Sequence, residues 1–319
     1  MMKNKILNIL KDSDSYVSGE SISGILGISR NAVWKHINKL RSEGYGIESV
    51  TNRGYRLTSS PDVISAEKIR DGLKTEFIGK NIVCMEEVDS TNNAAKRSSD
   101  MPDGTLFISE IQTGGKGRLG RAWVSPRGIG IWMSLLLKPE ILPSDVAQIT
   151  LISGMAVAES VGCGARIKWP NDVVIGTKKV CGILTEMSAE MERVNYVIPG
   201  IGINVNTEAF EGELSEKATS LYIETGEKHE RCPIVRLFLE SFERLYKKFL
   251  EGGMAAIADD YRRMCITIGR EVSVIYPNRT INGKAVDIND EGELIVETEQ
   301  GRINVASGEV SVRGIYGYV

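Results

Sequence analysis

The 319-residue chain has no long hydrophobic run. Its longest, Ile129 to Leu137, falls far short of the ~20 apolar residues a membrane-spanning helix needs. Met1 to Leu10 carries lysines but no extended apolar stretch or small-residue cleavage site, so no secretory leader is expected. The five cysteines, Cys84, Cys163, Cys181, Cys232 and Cys265, are scattered without a C-x-x-C pair. That argues against a disulfide framework or a structural zinc site, and for free thiols in a reducing cytoplasm. Neither sign of charge dominates: 39 Lys and Arg stand against 42 Asp and Glu, a net charge of −3 at pH 7. A nucleic-acid coat and a solvating acidic tail are both excluded. Internal repeats and low-complexity tracts are also lacking. What remains is 42% apolar and 25% charged, an ordinary globular composition, and at roughly 150 residues per domain the length predicts two or three domains. Glycine is in excess, 33 residues, which directs attention to glycine-dependent loops.

The balanced net charge hides an uneven distribution. Residues 1–60 hold nine cations and five anions, and the whole excess lies between Ser29 and Arg56. A polar stretch through Thr58, Ser59, Ser60 and Pro61 marks the first domain boundary, giving a domain at 1–60. Within it, Ile22, Ile25 and Leu26 form a short apolar face that Gly27 ends. Ser29 can cap a second helix in which Val33, Ile37 and Leu40 share one face. Gly44 stops that helix, and two short strands follow around Asn52-Arg53-Gly54. Helix, turn, cationic helix and basic ribbon together read as a winged helix-turn-helix. Ser29, Arg30, Asn31, Lys35, Asn38, Lys39 and Arg53 are its candidate DNA contacts, cations holding phosphates and amides reading base edges. A small helical adaptor with a solvated charged face fits the same pattern.

From residue 62 helices and strands alternate. Helices are expected at 65–73, after Ser90, at 142–161 and at 233–250. Strands are expected at 81–86, 105–111, 129–137, 166–168, 173–175, 179–187 and 195–203. After Gly269 the pattern turns all-β, with turns at Asn282-Gly283 and Glu291-Gly292, which predicts a small SH3-like β-barrel. The fold class is therefore α+β multidomain, with a mixed α/β domain at 62–268 and the barrel at 269–319.

Gly115, Gly117 and Gly120 spell G-x-G-x-x-G after a strand. A dinucleotide site would need a helix directly after the last glycine, whereas Arg121-Ala-Trp123 leads into another strand. A kinase glycine loop fails for want of H-R-D and D-F-G. The segment is a glycine loop bearing Lys116, Arg118 and Arg121, suited to an anion through backbone N–H groups and cations; a mobile basic surface loop also fits. A second constellation is Lys168-Trp-Pro-Asn-Asp172, followed by the strand that Lys179 opens, where Gly182 lets something bulky come close. A lone lysine at a strand start is commonly just solvated. A third is Gly200-Ile-Gly-Ile-Asn204, followed by a polar stretch long enough to be an ordering loop.

Taken together with Asp89-Ser-Thr-Asn92 and Gly308-Glu-Val-Ser-Val-Arg313, these segments resemble the bifunctional biotin–protein ligase/biotin operon repressor family over essentially the whole chain. The resemblance implies that Ser90, Thr91, Asn92 and Gln112 bind the biotin ureido group and tail, with Gly182 at the floor of that site. It implies that Gly115, Lys116, Gly117, Arg118, Arg121, Trp123 and Asn171 serve the carboxylate and adenylate. Lys179 and Arg118 would be the catalytic cations. Asn204 and its loop would close over the adenylate, and Arg313 would reach in from the barrel. ATP, Mg²⁺ and biotin are the implied small molecules. A biotin carboxyl carrier protein, operator DNA and a second copy of the chain when adenylate is bound are the implied partners. No protein-held metal site and no membrane association are expected. One departure is Lys116, where the family usually has Arg; Lys keeps the charge but loses the rigid fork. A ligand-sensing repressor without catalysis and a lipoate ligase stand as alternatives.

Overall fold

The computed structural model describes residues 2–42, 44–308, 311–314 and 318–319. Two compact units divide the chain, Met1–Val63 and Ile64–Val319. The first holds α1 (Met2–Lys11), α2 (Gly19–Leu26), α3 (Arg30–Ser42) and an antiparallel hairpin of β1 (Gly46–Val50) and β2 (Gly54–Ser59). Ser18 Oγ caps α2 by accepting from Ser21 N at 3.0 Å, and Gly27 ends it in the left-handed region at φ 64°. Ser29 Oγ caps α3 by accepting from Ala32 N at 3.2 Å. Val33, Ile37 and Leu40 of α3 bury their shared face against Ile6, Leu10 and Ile22. Ile25 does not join that face as expected: it is 64% exposed, because α2 turns only Ile22 and the edge of Leu26 inward.

The second unit runs α4 (Ala66–Arg70), β3 (Ile82–Val88), α5 (Thr91–Arg97), β4 (Thr105–Gln112), β5 (Gly130–Leu136), α6 (Val146–Val161), β6 (Arg166–Lys168), β7 (Asp172–Ile175), β8 (Lys178–Ala189) and β9 (Val194–Asn204). It continues with α7 (Leu214–Lys217), α8 (Leu221–Thr225), α9 (Arg231–Gly252) and α10 (Ala258–Met264). Last come β10 (Glu271–Ile275), β11 (Thr280–Ile288), β12 (Leu294–Thr298), β13 (Gly301–Val305) and β14 (Ser311–Gly314). Helix α4 is shorter than expected, and α6 starts four residues later than expected because Pro143 opens a separate 3₁₀ turn.

Strands β3 to β9 form one mixed sheet in the order β3-β4-β5-β9-β8-β7-β6, parallel only between β3 and β4. Because strand side chains alternate in direction, Ile131, Met133 and Leu135 of β5 and Ile201 and Ile203 of β9 join the main core with α6 and α9. Leu136 and Ile198 join a smaller cluster with Ala94 and Ala95 of α5 on the opposite face. The start of α9 is tied to the sheet by the fully buried Arg231, whose Nη1 and Nη2 donate to Glu110 Oε2 and Oε1 at 2.8 and 3.2 Å. A buried charge is tolerable only with such pairing.

Strands β10 to β14 form an antiparallel sheet in the order β13-β12-β11-β10-β14. Among the described residues no ladder joins β13 to β14, so the structure shows a small open sheet where a closed barrel was expected. Asn282 and Gly283 are not a turn: they lie inside β11, paired with Ser273 and Val272, and the chain reverses instead at Tyr276–Arg279. The turn at Glu291-Gly292 is present, with Gly292 at φ 79°. Glu309 and Val310, part of the motif at 308–313, lie outside the described residues. Among the described residues, no helix is long and apolar enough to cross a membrane.

Candidate functional site

A pocket opens where α5 begins, above the β8–β9 ladder. Ser90, Thr91, Asn92, Gln112, Lys116, Gly117, Arg118, Trp123, Asn171, Lys179 and Gly182 line it together with Met133, Ile183, Leu184 and Gly200 to Gly202. Segments scattered over more than a hundred residues thus meet at one place. Gly115, Arg121, Asn204 and Arg313 are not among the lining residues.

Two different environments face each other across it. On one side is a closed polar network. Gln112 Oε1 accepts from Thr91 N and Oγ1 at 2.9 and 3.1 Å, and its Nε2 donates to Ser125 Oγ at 2.8 Å. Asn92 Nδ2 donates to Leu184 O and Glu186 Oε2 at 3.1 and 2.8 Å, while its Oδ1 accepts from Ser134 Oγ at 2.6 Å. Burial would raise Glu186, but hydrogen bonds from Lys96 and Asn92 hold it below the usual carboxylate range. Ser90 occupies the N-terminal position of α5 yet makes no side-chain cap bond.

The other side is cationic. The glycine loop folds as a narrow hairpin, with Gly117 N donating to Arg121 O at 2.7 Å and Trp123 N to Gly115 O at 2.9 Å. Leu119 and Gly120 carry positive φ at its tip, and Arg121 is exposed. Arg118 reaches inward: Nη1 donates to Asn171 Oδ1 at 2.9 Å, and Nη2 to Ser307 O and Gly308 O at 2.8 and 2.7 Å. Lys179 Nζ stands 2.5 Å from Asp172 Oδ1, and Lys168 Nζ 3.9 Å from Oδ2. Burial alone would raise Asp172, but Lys179 and Lys168 hold the carboxyl below its usual range. Burial pushes the Lys168 ammonium down to about 8.

Trp123 covers the glycines of β8 and β9. Its indole lies against Gly182 and Gly202 so closely that a Cβ at either position would collide with it, and its edge meets Trp132 at 6.5 Å between ring centres. The bulky neighbours that Gly182 admits are therefore the protein's own Trp123 and Lys179. The space left in the pocket measures about 50 Å³. Asn204 is turned away and buried, its Nδ2 donating to Thr219 O at 3.1 Å. Ala218 pairs with Lys179, and Thr219 N donates to Lys179 O at 2.8 Å, so this part of the following loop is already fastened to the strand carrying Lys179. Ser134 and Tyr318 were not singled out in the sequence: neither belongs to a glycine-rich or paired motif, and only chain folding brings them here. Arg313 is exposed on β14, and its charge acts on Lys168 and Tyr318.

In the first unit, Ser29, Arg30, Asn31, Lys35 and Lys39 are exposed on or beside α3, and Arg53 is exposed at the hairpin tip. Asn38 is half-buried and its Oδ1 accepts from Arg41 Nη1 at 3.3 Å, so it braces Arg41. Trp34, 54% exposed, shares the face with Asn31 and Lys35. The spacing that singles out the cations shows nothing of this apolar side chain among them.

Residues 84–204 match the biotin/lipoate A/B protein ligase family, residues 3–56 an HTH domain, and residues 267–313 the biotin protein ligase C terminal domain. The chain is 40% identical over 320 residues to the bifunctional ligase/repressor BirA of Bacillus spizizenii, covering 98% of each. It is 28% identical over 314 residues to the protein of that name from Escherichia coli, covering 97% of this chain and 96% of that one. A biotin protein ligase from Aquifex aeolicus, solved in complex with biotin and ATP, matches with a TM-score of 0.65 at 34% identity, over 74% of this chain and 99% of its own. The chain belongs to the biotin/lipoate A/B protein ligase family, in its bifunctional ligase/repressor branch.

Proposed function

We propose that this protein is an ATP-dependent biotin–protein ligase that forms biotinyl-5′-AMP and transfers biotin to a lysine of a biotin carboxyl carrier protein. With the adenylate as corepressor, it also represses biotin genes by binding operator DNA. The observation that carries the reading is the single pocket in which Lys116, Arg118 and Lys179 face the polar network of Thr91, Asn92, Gln112 and Ser134. A carboxylate is a poor electrophile until it becomes a mixed anhydride. It must first attack the α-phosphorus of ATP, expelling pyrophosphate; the carrier lysine amine then attacks the acyl carbon, and AMP leaves. Charge builds on phosphate oxygens in both steps, so preset cations in a water-poor pocket lower the barrier.

In this reading Ser90, Thr91, Asn92 and Gln112 hold the ureido group and tail over Gly182. Gly115, Lys116, Gly117 and Arg118 hold the carboxylate and phosphate, and Lys179 is the central catalytic cation. Asn171 fixes Arg118, Trp123 lies under the ligand, Arg121 and Arg313 act from the rim, and Asn204 braces the following loop through Thr219 O. Among the described residues no cluster of His, Cys, Asp and Glu could cage a metal, and the carboxylates bonded to pocket-lining side chains, Asp172 and Glu186, are each already met by a lysine. These donors do not fit a protein-held Mg²⁺; the ion enters with the nucleotide phosphates.

The finer organisation follows the same reading. A cytoplasmic protein has a DNA-binding domain at 1–60, a catalytic domain at 62–268 and a small C-terminal β domain at 269–319, whose core includes the buried Val272, Val274, Leu294, Val296 and Val312. A bound adenylate orders the loops and favours a homodimer, which presents two α3 helices to a two-fold operator. The test is ATP–pyrophosphate exchange driven by biotin or by lipoate. Exchange with biotin alone supports the reading, exchange with lipoate alone replaces the substrate, and exchange with neither makes the protein a non-catalytic sensor.

A further inference from the structure

The cluster around Asp172 contains a side chain that the reaction described above leaves unused. Asp172 opens β7 and is buried between two lysines, but only Lys179 is close, at 2.5 Å from Oδ1. Lys168 Nζ, at 3.9 Å from Oδ2, is beyond hydrogen-bonding range. The near partner of Oδ2 is the hydroxyl of Tyr318, which donates to it at 2.5 Å across 146 residues of sequence. The same ring lies 4.0 Å from Lys168 Nζ, placed for a cation–π contact. One phenol therefore engages both the carboxylate and the second ammonium. Its neighbour Val319 packs on Gly314 of β14, and Val319 O accepts from Arg270 Nη1 at 3.2 Å, which anchors this stretch beside the pocket.

We propose that Tyr318 is a positioning residue for adenylation, orienting the Asp172 carboxylate so that Oδ1 holds Lys179 toward the reacting phosphate while its ring steadies Lys168. The proposal rests on the ligase reading of the pocket. Lys179 meets Oδ1 as an ion pair without a directed hydrogen bond, so among the described residues the phenol supplies the hydrogen bond that fixes the rotation of this buried carboxylate. Without the phenol, no described residue gives Oδ2 a close donor, the carboxylate turns, and Lys179 loses its anchor. The charged and titratable groups facing Asp172 are Lys168 from β6, Lys179 and Cys181 from β8, and Tyr318. Arg118 from the glycine loop acts on Asp172 at longer range, and Arg121 from the same loop and Arg313 from β14 act on Tyr318, Arg313 also on Lys168.

The test uses the full chain and biotin-dependent ATP–pyrophosphate exchange. Tyr318→Phe keeps the ring and removes the hydroxyl; Tyr318→Leu removes both. Tyr318→Phe is expected to lower kcat roughly tenfold, the scale of a lost hydrogen bond to a charged group, with KM for biotin unchanged. The acid limb of its pH profile moves to higher pH, because the carboxylate has lost a donor that favours its ionised form. Tyr318→Leu falls further. A Phe variant with wild-type kcat and pH profile overturns the proposal, as does a loss in both variants that only tracks their melting temperatures. Wild-type protein that exchanges no pyrophosphate overturns the ligase reading and the proposal together. An active wild type with an indifferent Phe variant overturns the proposal alone.

Discussion

Trp123 fills the space above Gly202: a Cβ there would overlap the indole, and Gly182 beside it is restricted in the same way. Glycine in a strand interior weakens the strand, and here it provides the floor on which the glycine loop rests. The Trp123 indole N–H has no acceptor among the described residues, although the ring around it is well packed. Gly202→Ala is expected to push Trp123 off the floor, at a cost of about 1–3 kcal/mol in stability, the scale of overpacking a core. Denaturant unfolding reads the loss, and a red shift of tryptophan emission reads the displacement. Unchanged stability and emission would show that the ring does not rest there in solution.

Lys179→Ala should lower the rate of biotin-dependent pyrophosphate exchange by more than ~100-fold, in line with the removal of one electrostatic contact to a developing charge. The substitution also leaves Asp172 without its close cation, so Lys179→Arg is the control, and partial recovery is expected. A Lys179→Ala protein that exchanges at near-normal rate removes Lys179 from the catalytic role.

Lys168 makes folding stability depend on pH in a definite direction. Its folded value, about 8, lies below that of a free lysine because burial penalises the ammonium. Between about pH 8 and the free lysine value of ~10.4, the unfolded chain therefore holds a proton that the folded chain has released. Stability from this group consequently rises with pH across that window and is flat below it. Comparing unfolding free energies of the wild type and Lys168→Met across the window should show a steeper rise for the wild type. Parallel curves would mean that Lys168 titrates like an exposed lysine.

Lys116→Arg restores a planar two-pronged donor at the loop position that faces the pocket. Slower release of the bound adenylate is expected, measured as the dissociation rate of biotinyl-5′-AMP chased with unlabelled ligand. An unchanged rate would show that charge alone, which Lys already supplies, sets retention.

On the DNA side, Lys35→Ala should weaken binding evenly across sequences and reduce the slope of log affinity against log salt by about 1, the signature of one lost phosphate contact. Sedimentation with and without biotin plus ATP tests the coupled association. An association state unchanged by the two ligands removes the link between adenylate and operator.

Much of this could be read along the chain because it is local. The α3 face of Val33, Ile37 and Leu40 follows from helical spacing, its cap from Ser29, and the strands of the central sheet from their apolar runs. The glycine loop and the Lys168–Asp172 turn were visible as motifs because their chemistry lies in consecutive residues. What required the folded chain is long-range. Alternation along β5 and β9 says that Ser134 and Gly202 share one face of their strands, but not that the polar network and Trp123 cover that face. Asn38 has the composition of a base reader, yet its contact with Arg41 takes it out of the row. Asp172 became a buried, ionised anchor only when Lys179 from the next strand and Tyr318 from far along the chain closed on it. Pattern and propensity are encoded over a few neighbouring residues. The partner of a buried charge is chosen by topology, which brings together groups that no short window of sequence contains.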